Sequence, residues 1–294
     1  MARISILGSG VVGTIVGCGL MKLGNEVFFY DVDLSKVQKL KSITPNASSD
    51  LEGAVAASEI SFICVPTPVT SEGMDLSCVK RILEDLAQCL RYEDDYHLVV
   101  VKSTVLPGTT QEMAIPLLEK VSKKQVGQQI GVCVNPEFLT EIQDSWTDNA
   151  QFSRSFFSED RIVIGEFDKR AGSSLERLYR PLKIPVVRTD LRTAEFIKLA
   201  CNCALASRIS YWNEIFYICQ ALGVDSGLVA RTAAMDKRIG EYGIVHGKAF
   251  GGKCLPKDLK AFIQFAENLG YSPKLLKAVD EINERIKASN GVRE

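Results

Sequence analysis

The sequence has little of what several common classes of protein require. It contains only two histidines, and none of its nine cysteines falls in a CxxC pair, so we expect no metal site. Nine scattered cysteines also argue against a disulfide framework and suit a reducing cytoplasm. Lysine and arginine number 35 against 36 aspartates and glutamates, so charge provides no general attraction to nucleic acid or to an acidic membrane.

Long hydrophobic runs are also lacking. The opening residues, ARISILGSG, read as a strand and a turn, so we expect no signal peptide. The longest helical stretch is interrupted by Arg208, Asn213 and Glu214, which argues against a membrane span. With 294 residues, 46% of them apolar, the chain is long enough for about two domains. We expect a cytoplasmic protein that binds neither membranes nor nucleic acid.

A glycine-rich turn follows the first strand. Gly8, Gly10 and Gly13 have the G-x-G-x-x-G spacing between a strand and a helix, and the next strand, EVFFY, ends on Asp31. Such glycines let the backbone approach a pyrophosphate at a helix N-terminus, and such a carboxylate accepts hydrogen bonds from ribose hydroxyls. The pattern predicts a Rossmann-like site for NAD, which the carboxylate favours over NADP.

Strand and helix patterns alternate as far as residue 190, which predicts a doubly wound, mostly parallel sheet of the α/β class. The runs ISFICVPTP, HLVVVKSTV and IGVCVNPEF each end in polar residues. Ligands of such sheets lie beyond the carboxyl ends of the strands. We therefore expect residues 65–68, 103–105 and 135–141 to lie on one rim with the glycine turn.

The stretch from Leu191 to Leu222 contains no glycine or proline, and Gly223 follows as the expected C-cap. Apolar residues fall on most faces of this helix, which predicts that it is buried. We interpret it as the bridge from an NAD-binding domain, residues 1–190, to a helical domain, residues 191–294. We also interpret it as the core of a homodimer.

Two polar groupings stand out in the second half. On the long helix, Glu195, Lys198 and Asn202 share one face, which fits either a Glu195–Lys198 surface pair or a clamp for an oxyanion or a sugar hydroxyl. The stretch AFGGKCLPKD places Cys254 in a glycine-lined loop beside Lys257 and Asp258. That setting favours an accessible, reactive thiol over a structural one.

The motifs ILGSGVVG, VPTP, KSTVLPGTT, NPEFLTE, DRIVIGE, AEFIKLACN and FGGKCLPKD occur in this order along the chain. Together they resemble the UDP-glucose/GDP-mannose 6-dehydrogenases over nearly the whole sequence. The resemblance implies oxidation of the C6 primary alcohol of a nucleotide sugar to a carboxylate, in two steps with two NAD. It further implies that Cys254 is the nucleophile that captures the aldehyde, so that a thioester is formed and then hydrolysed.

The same resemblance implies roles for other positions. Lys198 and Asn202 stabilise the oxyanion and the water, Asp258 orients or activates the water, and Glu137 and Thr104 assist proton transfer and water positioning. The residues expected near NAD are Gly8, Gly10, Val11, Val12, Gly13, Asp31, Lys36, Pro66, Thr67, Ser103, Thr104, Glu141 and Lys257. Those expected near the substrate are Glu137, Phe138, Leu139, Lys198, Asn202, Phe250, Gly251 and Arg238, the last of which reaches the site of the neighbouring subunit.

Three features depart from the family pattern. Lys253 precedes the cysteine, where the family has a small or aromatic residue, and the segment DSWTDNAQFSRSFFSE is longer and more polar than expected. The chain also stops at residue 294, before the third, nucleotide-binding domain that the resemblance leads us to expect. These departures concern the substrate more than the chemistry. Two alternatives stay open: a two-electron dehydrogenase of the 3-hydroxyacid type, which needs no cysteine, and a non-catalytic NAD-binding partner.

Overall fold

The computed structural model describes residues 1–140, 146 and 154–293. Within them the chain forms two compact units. The first comprises residues 1–68, 74–139 and 155–198; the second comprises residues 69–73, the described part of 140–154, and the residues from 199 onward. The predicted domain boundary between residues 190 and 191 stays a prediction.

The bounds of the regular elements are as follows. The strands are β1 (Arg3–Leu7), β2 (Glu26–Tyr30), β3 (Ala47–Ser48), β4 (Ile60–Ile63), β5 (Val69–Thr70), β6 (Gly73–Met74), β7 (His97–Val101), β8 (Ile130–Val134), β9 (Ile162–Glu166), β10 (Val186–Thr189), β11 (Ala249–Phe250) and β12 (Val292–Arg293). The helices are α1 (Val11–Lys22), α2 (Leu34–Lys41), α3 (Leu51–Ala56), α4 (Ser77–Leu90), α5 (Ile115–Ser122), α6 (Lys169–Tyr179), α7 (Leu191–Leu222), α8 (Ser226–Ala234), α9 (Leu255–Asn268) and α10 (Lys274–Asn290). A π-helical turn, Thr110–Ala114, leads into α5, and a 3-10 turn, Arg180–Leu182, follows α6.

The first unit is built on one eight-stranded sheet in the order β10-β9-β8-β7-β4-β1-β2-β3. Neighbouring strands run parallel except β8 and β9, which pair antiparallel. The chain runs from β1 to β2 and β3, then crosses to β4 on the other side of β1, so the strand order reverses between β1 and β4. This confirms the predicted doubly wound, mostly parallel sheet. The loops that follow β1, β2, β4, β7 and β8 therefore lie along one edge.

Helices cover both faces of this sheet. Along β7, Val99 and Val101 pack among side chains of α3, α4 and α5, whereas Leu98 and Val100 pack among those of α1, α2 and α6. Successive side chains of a strand point to opposite faces, so a strand buried on both faces is apolar at nearly every position. That is why HLVVV, the sequence of β7, lacks the alternation of a half-exposed strand.

Helix α7 begins at Leu191 and ends at Leu222, as predicted, and Gly223 follows it with a φ of 69°. Its 32 residues span roughly 48 Å at 1.5 Å per residue. The expectation that this helix is buried on nearly every side is wrong for the single chain. Tyr211, Ile218 and Leu222 are each more than half exposed, which leaves an apolar strip along the second half of the helix.

The second unit has an apolar core of its own. Its buried members include Trp146, Cys203, Ala206, Ile209, Phe250, Leu259 and Val279. The buried side chain of Asn283, on α10, accepts a hydrogen bond from the Phe250 N–H and donates one to the Phe250 carbonyl. Both backbone groups of this β11 residue are thereby held by one amide, just before the loop that contains Cys254.

Candidate active site

The turn after β1 has the geometry that the glycine spacing predicts. Gly8 has a φ of 99°, a conformation that favours glycine, and a Cβ there would lie 2.8 Å from the Cys64 carbonyl oxygen. A Cβ on Gly13 would lie 2.1 Å from the Gly8 oxygen, so α1 packs directly against the turn. A Cβ on Gly10 would meet no atom of the described residues within 4 Å. Gly8 and Gly13 thus allow the turn, β4 and α1 to pack closely, whereas Gly10 leaves open space beside the turn.

The N-terminus of α1 has no side-chain cap from its N-cap residue. Gly10 is the N-cap and provides no side-chain hydrogen bond to the first turn, which begins with the predicted cofactor residues Val11 and Val12. Backbone N–H groups at such an end, together with the helix dipole, suit a pyrophosphate. The open space at Gly10 and the uncapped helix end therefore fit NAD.

Asp31 lies directly after β2, beside this turn, and its side chain is buried. Its carboxylate accepts hydrogen bonds from the N–H of Ser9 at 2.8 Å and from the N–H of Asp33 at 2.9 Å. The Lys36 ammonium lies 3.3 Å from the same carboxylate. These contacts orient Asp31 and bring together two of the residues predicted to lie near NAD.

The predicted residues after β4 and β7 form one group. The Thr67 hydroxyl donates to the Thr104 carbonyl at 2.7 Å, and the Ser103 hydroxyl donates to the Val65 carbonyl at 2.6 Å. These two bonds join the loops at neighbouring strand ends, and Pro66 is exposed between them. Pro66, Thr67, Ser103 and Thr104 therefore lie on the edge that also holds the glycine turn.

A buried ion pair joins Glu137, after β8, to Lys198, on α7. The Lys198 Nζ lies 3.0 Å from a Glu137 carboxylate oxygen, and both side chains are nine-tenths buried or more. Burial raises the pKa of Glu137, but the charge and hydrogen bond of Lys198, the charge of Lys102 and the Leu139 N–H outweigh it and lower that pKa overall. Phe138 lies beside the pair, with its ring centroid 5.5 Å from the Lys198 Nζ.

The alternative Glu195–Lys198 surface pair is wrong. The Glu195 carboxylate is buried and accepts hydrogen bonds from the N–H groups of Gly108 at 2.6 Å and Thr110 at 2.8 Å. It thereby satisfies two backbone groups at the start of the π-helical turn. Lys198 consequently bonds to Glu137 instead.

In the second unit, Cys254 immediately precedes α9 and is partly buried. The Asp258 N–H donates to the Cys254 carbonyl, and the buried Asp258 carboxylate accepts hydrogen bonds from the Asn202 amide at 2.6 Å and the Lys257 ammonium at 2.5 Å. A thiol at a helix N-terminus, three residues before a lysine in the sequence, has a setting that favours reactivity. Cys203, next to Asn202 on α7, is different, because burial raises its pKa to about 12.

Other predicted residues have less distinctive surroundings. Gly251 follows Phe250, whose side chain is fully buried in the core of the second unit. Arg238 is 89% exposed and forms an ion pair with Asp236. Glu141 lies outside the described residues.

Sequence reasoning missed Lys102, and it placed Asn135 on the rim of strand ends without giving it a role. Both are almost completely buried, directly after β7 and β8. The Lys102 ammonium donates to the Asn135 side-chain oxygen at 3.0 Å. A lysine directly after an unbroken apolar strand was the signal that could have drawn attention to it.

Across residues 1–140, 146 and 154–293, no three or more His, Cys, Asp or Glu side chains are grouped so as to hold a metal ion. In the same part of the chain, no helix is both long enough and apolar enough to cross a bilayer.

Comparison with known proteins gives a consistent result. Residues 42–183 match the NAD binding domain, and residues 192–285 the central domain, of the UDP-glucose/GDP-mannose dehydrogenase family. The chain is 36% identical to UDP-glucose 6-dehydrogenase AglM of Haloferax volcanii, over 96% of this chain and 69% of the relative. It is 34% identical to GDP-mannose 6-dehydrogenase of Pseudomonas syringae, over 96% of this chain and 68% of the relative.

A solved structure gives the same picture. The fold matches that of a UDP-glucose dehydrogenase from the archaeon Pyrobaculum islandicum with a TM-score of 0.88 at 35% identity. The match covers 97% of this chain and 68% of that one. The chain thus spans about two thirds of the length of these relatives.

Proposed function

Because this chain belongs to the UDP-glucose/GDP-mannose dehydrogenase family of NAD-dependent oxidoreductases acting on CH–OH groups, we propose that it oxidises the C6 primary alcohol of a nucleotide sugar to a carboxylate. In this proposal Cys254 forms a thiohemiacetal and then a thioester with the substrate. NAD binds at the glycine turn, and small-molecule nucleotide sugars are the substrates.

The arrangement around Cys254 is the observation that carries the proposal. The residue stands at the N-terminus of α9, where the helix dipole stabilises a thiolate. One turn later, Asp258 is held by Asn202 and Lys257 with its carboxylate fully buried. A two-electron dehydrogenase has no use for a thiol in this setting.

The first step is oxidation of the alcohol to an aldehyde. NAD, when bound, takes up a hydride from the substrate carbon. Glu137 and Thr104 assist removal of the hydroxyl proton, because the Glu137 carboxylate is held in its charged form by Lys198. Phe138 and Leu139, which adjoin Glu137, contact the sugar, as does Gly251, and the exposed Arg238 reaches the sugar in the site of the neighbouring subunit.

The second step requires Cys254. Its thiolate adds to the aldehyde carbon, and the new oxyanion is stabilised by the ammonium of Lys198 and the amide of Asn202 before it takes up a proton. Loss of a second hydride together with the hydroxyl proton turns this thiohemiacetal into a thioester. Water activated by Asp258 then breaks the carbon–sulfur bond and regenerates the thiolate. Overall, one alcohol, one water and two NAD⁺ give one carboxylate, two NADH and three protons.

The test is the ratio of NADH to product. The purified chain is incubated with NAD and UDP-glucose, GDP-mannose or an N-acetylated UDP-hexosamine, with NADH measured by absorbance and products by mass spectrometry. Two NADH per carboxylate support the proposal. One NADH with accumulating aldehyde or ketone would assign a two-electron dehydrogenase, and cofactor binding without NADH would assign a non-catalytic partner.

A pair of variants isolates the role of the thiol. Cys254→Ser should abolish carboxylate formation, whereas Cys78→Ser, which changes an exposed cysteine on α4, should keep the wild-type ratio. Carboxylate formation at the wild-type rate by Cys254→Ser would refute the covalent route.

We also propose that the protein acts in the cytoplasm as a homodimer. Nine cysteines without a CxxC pair suit a reducing compartment. The exposed apolar strip on α7, formed by Tyr211, Ile218 and Leu222, is the surface through which two copies would associate.

A further inference from the structure

Lys102 is the first residue after β7, and only 3% of its surface is exposed. Lysines are almost never buried to this degree unless their charge is paired. Its ammonium donates to the Asn135 side-chain oxygen at 3.0 Å and to the Pro136 carbonyl at 3.3 Å. Both acceptors are uncharged, and the carboxylates of Glu159 and Glu137 offset the charge of the ammonium. Lys102 therefore belongs to a buried group of charged residues, whose burial is costly unless the charges are paired.

Asn135 is the centre of the network around Lys102. Its side-chain oxygen accepts hydrogen bonds from Lys102 and from the Tyr179 hydroxyl, the latter at 2.6 Å. Its amide nitrogen donates to the Val163 carbonyl at 2.8 Å. These bonds tie together the ends of β7 and β8, strand β9 and helix α6, and they determine which way the amide faces. The side chain therefore has no alternative orientation of equal energy.

The two residues that Lys102 contacts, Asn135 and Pro136, directly precede Glu137. One is held through its side chain and the other through its backbone carbonyl. The position of the Glu137 carboxylate relative to Lys198 depends on this short segment, because the segment is its attachment to β8. Lys102 thus acts on Glu137 through the chain as well as through its charge.

Several charged or titratable groups face Lys102. Burial lowers the pKa of Lys102, while Glu159, Glu137 and Cys64 raise it and Lys198 lowers it further. Lys102 in turn is the second cation, after Lys198, that lowers the pKa of Glu137. Glu159 differs, because burial outweighs the nearby cations and raises its pKa. The pKa values of two carboxylates near one lysine are therefore shifted in opposite directions, a pattern typical of functional sites.

We propose that Lys102 is a positioning residue that anchors Asn135 and Pro136 and thereby holds the Glu137 carboxylate against Lys198. The inference rests on the proposed function, which places Glu137 in the active site. Lys102 itself does not touch the reacting atoms. Its positive charge adds to the larger effect of Lys198 in lowering the pKa of Glu137, which favours the carboxylate over the neutral acid.

The decisive experiment does not depend on turnover. The full chain is labelled with ¹³C at the glutamate side-chain carboxyls, and the Glu137 resonance is assigned by its loss in Glu137→Gln. Its titration is then compared in the wild type and in Lys102→Met, which keeps the length of the stem but removes the charge. We expect the midpoint to move to higher pH in Lys102→Met. Lys120→Met, which neutralises an exposed lysine on α5, should leave it unchanged. An unchanged midpoint in Lys102→Met would overturn the inference.

Kinetics give a second readout. With NAD and the best nucleotide sugar, Lys102→Met should lower kcat by about 10- to 100-fold, the usual effect of losing a group that orients an active-site residue. The acid limb of its pH profile should also move to higher pH. A profile that superimposes on that of the wild type, with kcat within about twofold, would refute the positioning role.

Two precautions keep the outcomes distinct. If the wild type forms no NADH with any nucleotide sugar, the proposed function fails, and the titration still decides the role of Lys102. If Lys102→Met does not fold, Lys102→Gln replaces it, because glutamine is neutral but retains a donor for Asn135. A wild-type midpoint in Lys102→Gln would equally overturn the inference.

Discussion

At the scale of single residues, two buried glutamates of the first unit have opposite electrostatic settings. Glu137 faces two lysines, which lower its pKa despite burial. Glu195 accepts two backbone N–H groups, but burial is the larger effect and raises its pKa. Glu137 is thus suited to remain charged and to exchange protons with a substrate. Glu195 is suited to hold the Gly108–Thr110 backbone in place.

The buried pair predicts a large cost for removing one partner. Lys198→Met should lower the free energy of unfolding by about 3–5 kcal/mol, because it leaves the Glu137 charge buried without its closest cation. The measurement is urea unfolding followed by circular dichroism at neutral pH.

The matched control is Lys260→Met. Lys260 pairs with Glu284 at the same 3.0 Å, but both side chains are 45% exposed, so solvent screens the pair. Lys260→Met should lower the free energy of unfolding by less than about 1 kcal/mol. Equal losses in the two variants would contradict the assignment of Glu137–Lys198 as a buried ion pair.

The lowered pKa of Glu137 also predicts a pH dependence. A carboxyl whose native pKa lies below its unfolded value stabilises the fold above the unfolded pKa and loses that contribution as pH falls through the native one. The wild type should therefore be more stable than Glu137→Gln at neutral pH, with the difference shrinking as pH falls below the ordinary glutamate value of 4.5. Urea unfolding of both proteins from about pH 7 to about pH 3 checks this. A difference that stays constant over this range would contradict it.

At the scale of elements, the glycines between β1 and α1 have two different roles: some allow the turn and the helix to pack together, and Gly10 leaves space for a ligand. Gly10→Ala should leave stability unchanged, because its Cβ would meet nothing within 4 Å in the part of the chain that the structure describes. It should weaken NAD binding by about tenfold or more, because the methyl group would occupy the space open to the pyrophosphate. Isothermal titration calorimetry with NAD measures the affinity.

Gly13→Ala is the companion variant for this prediction. Its Cβ would lie 2.1 Å from the Gly8 carbonyl oxygen, so the helix must move away from the turn. We expect a loss of about 1–3 kcal/mol in stability. Unchanged NAD affinity in Gly10→Ala would argue against the cofactor site at this turn.

Many of the strands and helices could be predicted from the sequence because the patterns that specify them lie within short segments. The glycine spacing, the unbroken apolar strands and the stretch from 191 to 222 without glycine or proline each specify an element. The partners of Glu195 could not be predicted in this way. Helical spacing offered Lys198, three residues away, whereas the actual donors belong to Gly108 and Thr110, 87 and 85 residues away.

At the scale of the whole molecule, the exposed strip on α7 predicts self-association. Light scattering coupled to gel filtration should give twice the chain mass of 32.3 kDa. Ile218→Asp should shift the protein to the monomer, because it places a charge in the apolar strip. Leu269→Asp, at an exposed position after α9, should remain dimeric. A wild-type protein that stays monomeric at all concentrations would refute the dimer.

The sequence by itself determined the class of sheet, the glycine turn with Asp31, the bounds of α7 and the likeness to nucleotide-sugar dehydrogenases. These follow from periodicity, spacing and motifs, which are properties of short segments. Only the tertiary structure decided that Lys198 pairs with Glu137, that Asp258 accepts a hydrogen bond from Asn202 and that the buried Lys102 donates one to Asn135. Such pairings depend on which strand ends and helix faces the fold brings together, and the energy of a buried charge depends on surroundings that no short segment contains.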